Sequence, residues 1–240
     1  MSHQRQPRRA RGQGGIGLIA AHPDDEVLSC GGTIARAAGS TPVDILIVAE
    51  GATARGLRGG EGQRATRTLE QQARKAGQKL GARSVEFLRL PDNRLDGIEL
   101  LRVIKPIEAW IARLRPETVY THHPGDLNID HALVFRAVLT ATRPTSGCSV
   151  KRLYACEVPS ATEWAFQRIE PVFRPNTFVD IGATLERKVE ALRCYEGELR
   201  TFPHPRSAEG LRSSARRWGS VAGVEAAEAF ELIRAIEAES

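Results

Sequence analysis

Gly17-Leu18-Ile19-Ala20-Ala21 is a short apolar run without a charge, and it stops at His22-Pro23-Asp24-Asp25-Glu26. The run is too short for a helix of its own. A strand with no polar face must be covered on both sides, the condition of a parallel sheet between two helical layers. Pro23 ends the strand and keeps His22 out of the helical region, so the imidazole stays extended at the strand's carboxyl end. Open α/β sheets gather their ligands at that edge.

His22 and Asp25 are three apart across a turn, close enough to reach one divalent cation. A nitrogen and an oxygen donor suit Zn²⁺, and a catalytic zinc commonly takes three protein ligands and keeps a further position for water. The third ligand must come from elsewhere in the chain. Asp24, if it faces the water instead of the metal, is placed to act as general base. The competing reading is a polar turn that caps the next helix.

At 240 residues, 41% hydrophobic and 26% charged, the chain fits one α/β domain over residues 16–240 behind a basic tail, residues 1–15, that reads as disordered. Arg5, Arg8, Arg9 and Arg11 carry most of the formal net charge of +5, so the basic balance describes a tail and argues against a nucleic-acid surface. No stretch approaches the length that crosses a bilayer, and the apolar run behind Arg8-Arg9 is too short for a signal-peptide core. The chain reads as cytoplasmic. Cys30, Cys148, Cys156 and Cys194 show no C-x-x-C spacing and read as reduced packing residues.

Periodicity predicts strands at 43–49, 84–90, 118–121, 152–158 and 177–181, and helices at 27–38, 63–80, 99–115, 132–142 and 184–199. Pro106 predicts a kink or a late start in the helix over 99–115. Residues 55–62, rich in Gly and Arg, read as a mobile loop over the site. The Ala/Glu-rich end, 225–238, reads as helix, although alternation in Ala229–Arg234 leaves a strand open. This α/β alternation is that of a Rossmann-like three-layer fold with a mostly parallel central sheet and its site at the carboxyl ends of the strands.

Thr118-Val119-Tyr120-Thr121 runs into His122-His123-Pro124-Gly125-Asp126-Leu127-Asn128-Ile129-Asp130-His131, a second polar cluster ahead of a helix. His122, His123 or the pair Asp130-His131 could complete the metal site. Phe202-Pro203-His204-Pro205-Arg206-Ser207 is a stiff segment that presents His204, with Arg206 available to an anionic group; the alternative is a turn in which Ser207 caps a helix.

With these motifs the chain resembles the PIG-L/LmbE-like family of zinc-dependent N-deacetylases, which act on N-acetylglucosamine-type sugars. Ala21-His22-Pro23-Asp24-Asp25-Glu26 matches the family's first signature, Gly31-Gly32-Thr33 the glycines of its next helix, and Asp130-His131 its second signature. The resemblance implies one Zn²⁺ or another divalent metal on His22, Asp25 and His131, with Asp24 as general base. The family's second signature usually reads His-x-Asp-His, and here its first histidine is Asn128, which can donate to an oxyanion but cannot shuttle a proton. His123 and His204 are the candidates for that proton. Arg67, Asp126 and Arg206 are the candidate substrate contacts, and the implied substrate is an N-acetylated amino sugar with an anionic group. Two alternatives stand beside it: a zinc amidase on a larger sugar conjugate, and a non-catalytic Rossmann-like module that binds a sugar or nucleotide. Against the second, the Gly-rich stretch 12–17 precedes the first strand instead of following it.

Overall fold

In the computed structural model, which describes residues 14–57 and 59–237, the strand-forming runs assemble into one seven-stranded sheet. Most of the basic segment expected to be disordered, residues 1–13, lies outside the described residues. The strands are β1 (Ile16–Ala20), β2 (Val43–Ala49), β3 (Ser84–Leu90), β4 (Thr118–His122), β5 (Arg152–Cys156), β6 (Thr177–Asp180) and β7 (Ala227–Ala235), in the order β3-β2-β1-β4-β5-β7-β6. β1 to β5 run parallel, and β7 is antiparallel to both β5 and β6.

The helices are α1 (Asp25–Ala37), α2 (Gly59–Leu80), α3 (Leu100–Leu114), α4 (Ile129–Ala141), α5 (Leu185–Leu192) and α6 (Ala208–Ala222). Alternation along the strands sorts side chains between two cores. Leu18, Val43, Ile45 and Ile47 pack with residues of α1, α2 and α5. Ile19, Leu46 and Val48 pack with residues of α3 and α4 on the other face. The glycines of α1 follow from this packing: a Cβ on Gly32 would lie 2.7 Å from Ile181 and one on Gly31 2.9 Å from Lys188, so α1 lies too close to its neighbours there for a larger residue. None of the described helices is long and apolar enough to cross a membrane.

Several local expectations are revised. α2 begins at Gly59, so part of the segment read as a mobile loop is helical. α3 continues past Pro106, its apolar face of Val103, Ile104, Ile107, Trp110 and Ile111 holding it against the sheet. The helix expected to reach 199 stops at Leu192, where i→i−3 bonds from Cys194 to Ala191 and from Tyr195 to Leu192 tighten the chain into turns. The Ala/Glu-rich end is a strand. Its helical propensity is overridden by pairing with β5 and β6, which buries Ala227 to Phe230.

Strand order reverses between β1 and β4, whose neighbours run away on opposite sides. That switch point leaves a crevice beyond their carboxyl ends. β1 ends just before His22, and β4 ends at His122.

Candidate metal centre and cleft

The turn after β1 is shaped by its acidic residues. His22 N–H donates to Asp25 Oδ2 at 2.9 Å, and Asp24 N–H donates to Glu26 Oε2 at 3.0 Å. Asp24 occupies the N-cap position of α1 at φ 110°, but its side chain makes no cap bond. The capping alternative for this motif therefore fails. The carboxylate turns instead to the Arg206 guanidinium, 2.8 Å away.

On the second loop it is Asn128 that caps, its Oδ1 accepting from Asp130 N–H at 2.9 Å and starting α4 at Ile129. His131 thus lies in the first turn of α4 and reaches back to the sheet edge. Its Nε2 is 3.2 Å from Asp25 Oδ2, and His22 Nδ1 is 3.2 Å from the same oxygen. One donor atom from each of His22, Asp25 and His131 falls within a 4.8 Å span, a grouping that could hold a metal ion.

Both imidazoles are backed by carboxylates on their other nitrogen. Asp126 Oδ2 lies 2.7 Å from His131 Nδ1, and Asp130 Oδ2 and Asp92 Oδ1 lie 3.2 and 3.3 Å from His22 Nε2. This is how ligating histidines are held in tautomer and orientation. Asp130 is itself fixed by Asn93 N–H at 2.8 Å and Leu95 N–H at 3.1 Å. The same residues form two other groupings, His122-Asp126-His131 and His22-Asp92-Asp130. In His122 the Nε2 accepts Ala21 N–H at 2.7 Å and the ring stacks on His131 with centroids 3.9 Å apart, while Nδ1 is buried without a hydrogen-bond partner.

The donor set fits a borderline-hard divalent ion such as zinc. Asp25 Oδ1 is buried with no hydrogen-bond partner, an atom that a cation would satisfy. The electrostatics agree. Burial works against charge on His22, yet Asp130, Asp25 and Asp92 push its pKa up to about 10. His131 is pushed up to about 9 against its own burial, by Asp25 and Asp126. Burial would raise the Asp25 carboxyl, but His131, His22 and His122 hold it well below the usual range. The cluster is built to hold positive charge.

A cleft of about 210 Å³ opens over this centre, lined among others by His22, Asp24, Asp92, Asn93, Asn128 and Arg206. Burial raises the Asp24 carboxyl well above its ordinary value, with Arg206 opposing and Asp25, Glu198 and Glu26 adding to the rise. Arg206, expected to meet an anion, lines the cleft and is held there by protein groups. Besides Asp24, its Nε donates to Ser160 Oγ at 2.8 Å and its Nη1 lies 3.7 Å from Glu198.

The other expected site residues are dispersed. His123 is fully buried away from the cleft, with Nδ1 3.0 Å from Glu231 and Nε2 2.7 Å from the Pro171 carbonyl. Both ring nitrogens are spent, on the insert between β5 and β6 (residues 157–176) and on β7, which leaves none for a leaving group. His204 is half-buried beside Arg206, its Nδ1 accepting the Arg206 N–H at 3.0 Å and its ring edge-on to Trp164. Burial, then Arg206 and Arg200, lower its pKa. Asp126 is buried behind His131, out of a substrate's reach. Arg67 lies outside the cleft, on the wall of a larger cavity of about 690 Å³ over the first half of α2, which adjoins the cleft across the 50–54 segment.

Residues that the sequence reading left without a site role are Glu26 and Tyr195, whose carboxylate and phenol hydrogen-bond beneath Asp24. Glu26 stands in the first motif and could have been suspected. Tyr195 carries no local signal.

The family described as "PIG-L: GlcNAc-PI de-N-acetylase" matches residues 18–142. YaiS of Escherichia coli (strain K12), described as an uncharacterized deacetylase, is 30% identical over 151 residues, 61% of this chain and 75% of that protein. N,N'-diacetylchitobiose deacetylase from Pyrococcus horikoshii superposes with a TM-score of 0.73 at 18% identity, covering 92% of this chain and 84% of that one. GalB, the 4-carboxy-2-hydroxymuconate hydratase from Pseudomonas putida KT2440, also gives 0.73, at 23% identity and with 94% and 99% covered. At these identities the two structures share the fold alone. A deacetylase and a hydratase both use it, so the fold does not select the reaction.

Proposed function

Since the chain belongs to the PIG-L family of deacetylases, we propose that it is a zinc-dependent amide hydrolase that removes the acetyl group from an N-acetylated amino sugar of the N-acetylglucosamine type. The observation that carries this reading is the convergence of His22 Nδ1, His131 Nε2 and the partly unpartnered Asp25 carboxylate, with the Asp24 carboxylate beside them on the cleft.

Zinc held by His22, Asp25 and His131 would supply Lewis acidity toward water and the amide oxygen. Asp126 and Asp130 keep the two imidazoles aimed. Asp24 accepts the proton of the attacking water, and Arg206 orients its carboxylate. Asn128 Nδ2 gives one hydrogen to Asn93 Oδ1 at 2.9 Å and keeps the second for the oxygen on which charge develops. With His123 spent elsewhere, the proton for the leaving amine comes from Asp24 itself or from His204. Acetate and a free amine result.

The test is metal content and acetate release from a panel of N-acetylglucosamine conjugates, with and without chelator. Wild type is expected to carry about one zinc per chain and to lose activity on chelation. Asp24→Asn should keep the metal and lose activity by a factor on the order of 10³ or more, and His131→Ala should lose both. Metal and acetate release surviving both substitutions would overturn the reading.

A further inference from the structure

Asp24 is held in a backbone setting that L-residues rarely adopt, with φ 110° and ψ −30°. Such settings persist only where neighbours over-determine them. Here the neighbours are Glu26 and Tyr195. Glu26 is fully buried and uses both oxygens, Oε2 accepting the Asp24 N–H at 3.0 Å and Oε1 accepting the Tyr195 hydroxyl. Tyr195 is also buried, in the turn after α5, where its N–H bonds Leu192 O. On the far side of the peptide, the Asp24 carbonyl accepts the N–H groups of Val27 and Leu28, each at 3.0 Å. The Asp24 peptide is thus clamped between the first turn of α1 and a phenol brought in by α5.

We propose that Glu26 and Tyr195 are positioning residues for the hydrolysis. Together they hold the Asp24 peptide in its strained setting, so that its carboxylate leaves the capping position and faces the cleft. A relaxed peptide would let Asp24 do what aspartate ordinarily does at an N-cap, which is to fold back onto the N–H groups of α1. The carboxylate would then be withdrawn from Arg206 and from the water it must deprotonate. The contact between Glu26 and the Asp24 N–H also resembles an ordinary helix-capping interaction, in which a carboxylate in the first turn reaches back to the N-cap amide. A cap of that kind stabilises the helix but has no bearing on turnover by folded, metal-loaded chains. That difference separates the two roles.

This inference rests on the proposed hydrolysis, so its test includes a readout that does not. For Glu26→Ala, the expectation is a kcat for acetate release from N-acetylglucosamine about 10- to 100-fold below wild type, the range for a misplaced reacting group. KM and zinc per chain should be unchanged, and its crystal structure should show Asp24 out of the positive-φ region. Glu26→Gln restores an acceptor for the Asp24 N–H and should bring kcat back to within about threefold. Should Glu26→Ala fail to fold or to hold zinc, Tyr195→Phe keeps the ring in the core and removes only the hydroxyl that anchors Glu26. It should lower kcat by about 3- to 10-fold at unchanged KM. Wild-type kcat in folded, zinc-loaded Glu26→Ala, or failing that variant in Tyr195→Phe, would overturn the proposal. Should wild type release no acetate from any conjugate, the functional reading falls and the crystal structure decides this one: Asp24 still at positive φ without the Glu26 carboxylate, or in Tyr195→Phe where the alanine variant does not fold, refutes it.

Discussion

Removing the carboxylate behind His131 should weaken metal binding without dismantling the site. Asp126 is the suitable residue because its role is narrow: Oδ2 lies 2.7 Å from His131 Nδ1, while Oδ1 is buried without a partner. Asp130 would be a poorer choice, since it also holds the amides of Asn93 and Leu95. Losing an outer carboxylate of this kind typically costs about 10- to 100-fold in metal affinity, or about 1.4 to 2.7 kcal/mol. Asp126→Ala leaves the buried Nδ1–H of His131 with no acceptor and should fall at the upper end, near 100-fold. Asp126→Asn can still present an amide oxygen at the same place and forfeits only the charge, so about 10-fold is expected. Competition for Zn²⁺ against a chromophoric chelator gives both affinities, with far-ultraviolet circular dichroism confirming that the variants fold. An affinity for Asp126→Ala within threefold of wild type would refute the reasoning, because the metal would then not depend on how His131 is held.

Two further consequences concern the frame around the site. Burial pushes the Glu157 carboxyl up to about 7 from an ordinary 4.5, against the Trp218 N–H and Lys188. Between about pH 4.5 and 7 the unfolded chain has released this proton and the folded chain has kept it, so the stability it contributes is lost as pH rises through that window, by about 3 kcal/mol; urea unfolding across it should show Glu157→Gln with a shallower decline than wild type, and parallel profiles would contradict the assignment. Gly125→Ala would place a Cβ 1.9 Å from the Pro171 carbonyl oxygen, a backbone atom that cannot step aside cheaply. The insert should lift from the second loop, with faster hydrogen exchange at the Arg174 amide that Glu231 now holds and a loss of about 2 kcal/mol in unfolding free energy; unchanged exchange would sink this reading.

How much of this was legible in the chain depended on the distance over which each signal acts. β2 and β3 fall at the residues read from the sequence; β2, covered on both faces, declares itself locally. The last strand was ambiguous for the opposite reason. Ala, Glu and Leu in residues 227–235 favour a helix when taken alone, and only pairing with β5 and β6, contributed from upstream, makes a strand of them. α5 was read too long since nothing between Arg193 and Glu196 breaks a helix. It ends where it does because Tyr195 is drawn beneath α1.

The same distinction orders the site. His22 and Asp25 could be paired from spacing alone, their contact being closed within one turn. Asn128 stands where the family carries a histidine, and its capping bond to Asp130 is equally local. Arg206 and His123 were assigned by chemical type, as a free guanidinium for an anion and a free imidazole for a proton, and their partners lie far away in sequence. Arg206 meets Asp24 across 182 residues and His123 meets Glu231 across 108. Side-chain type states what a residue can do, whereas availability depends on whether some distant element has already claimed its polar atoms. In this chain β7 and the insert claim His123, and Asp24 claims Arg206. The reaction is thereby left with a smaller set of free groups than the sequence offers. In the proposed hydrolysis that reduction shifts the weight of proton transfer toward Asp24, and gives the buried pair beneath it a part in placing the carboxylate.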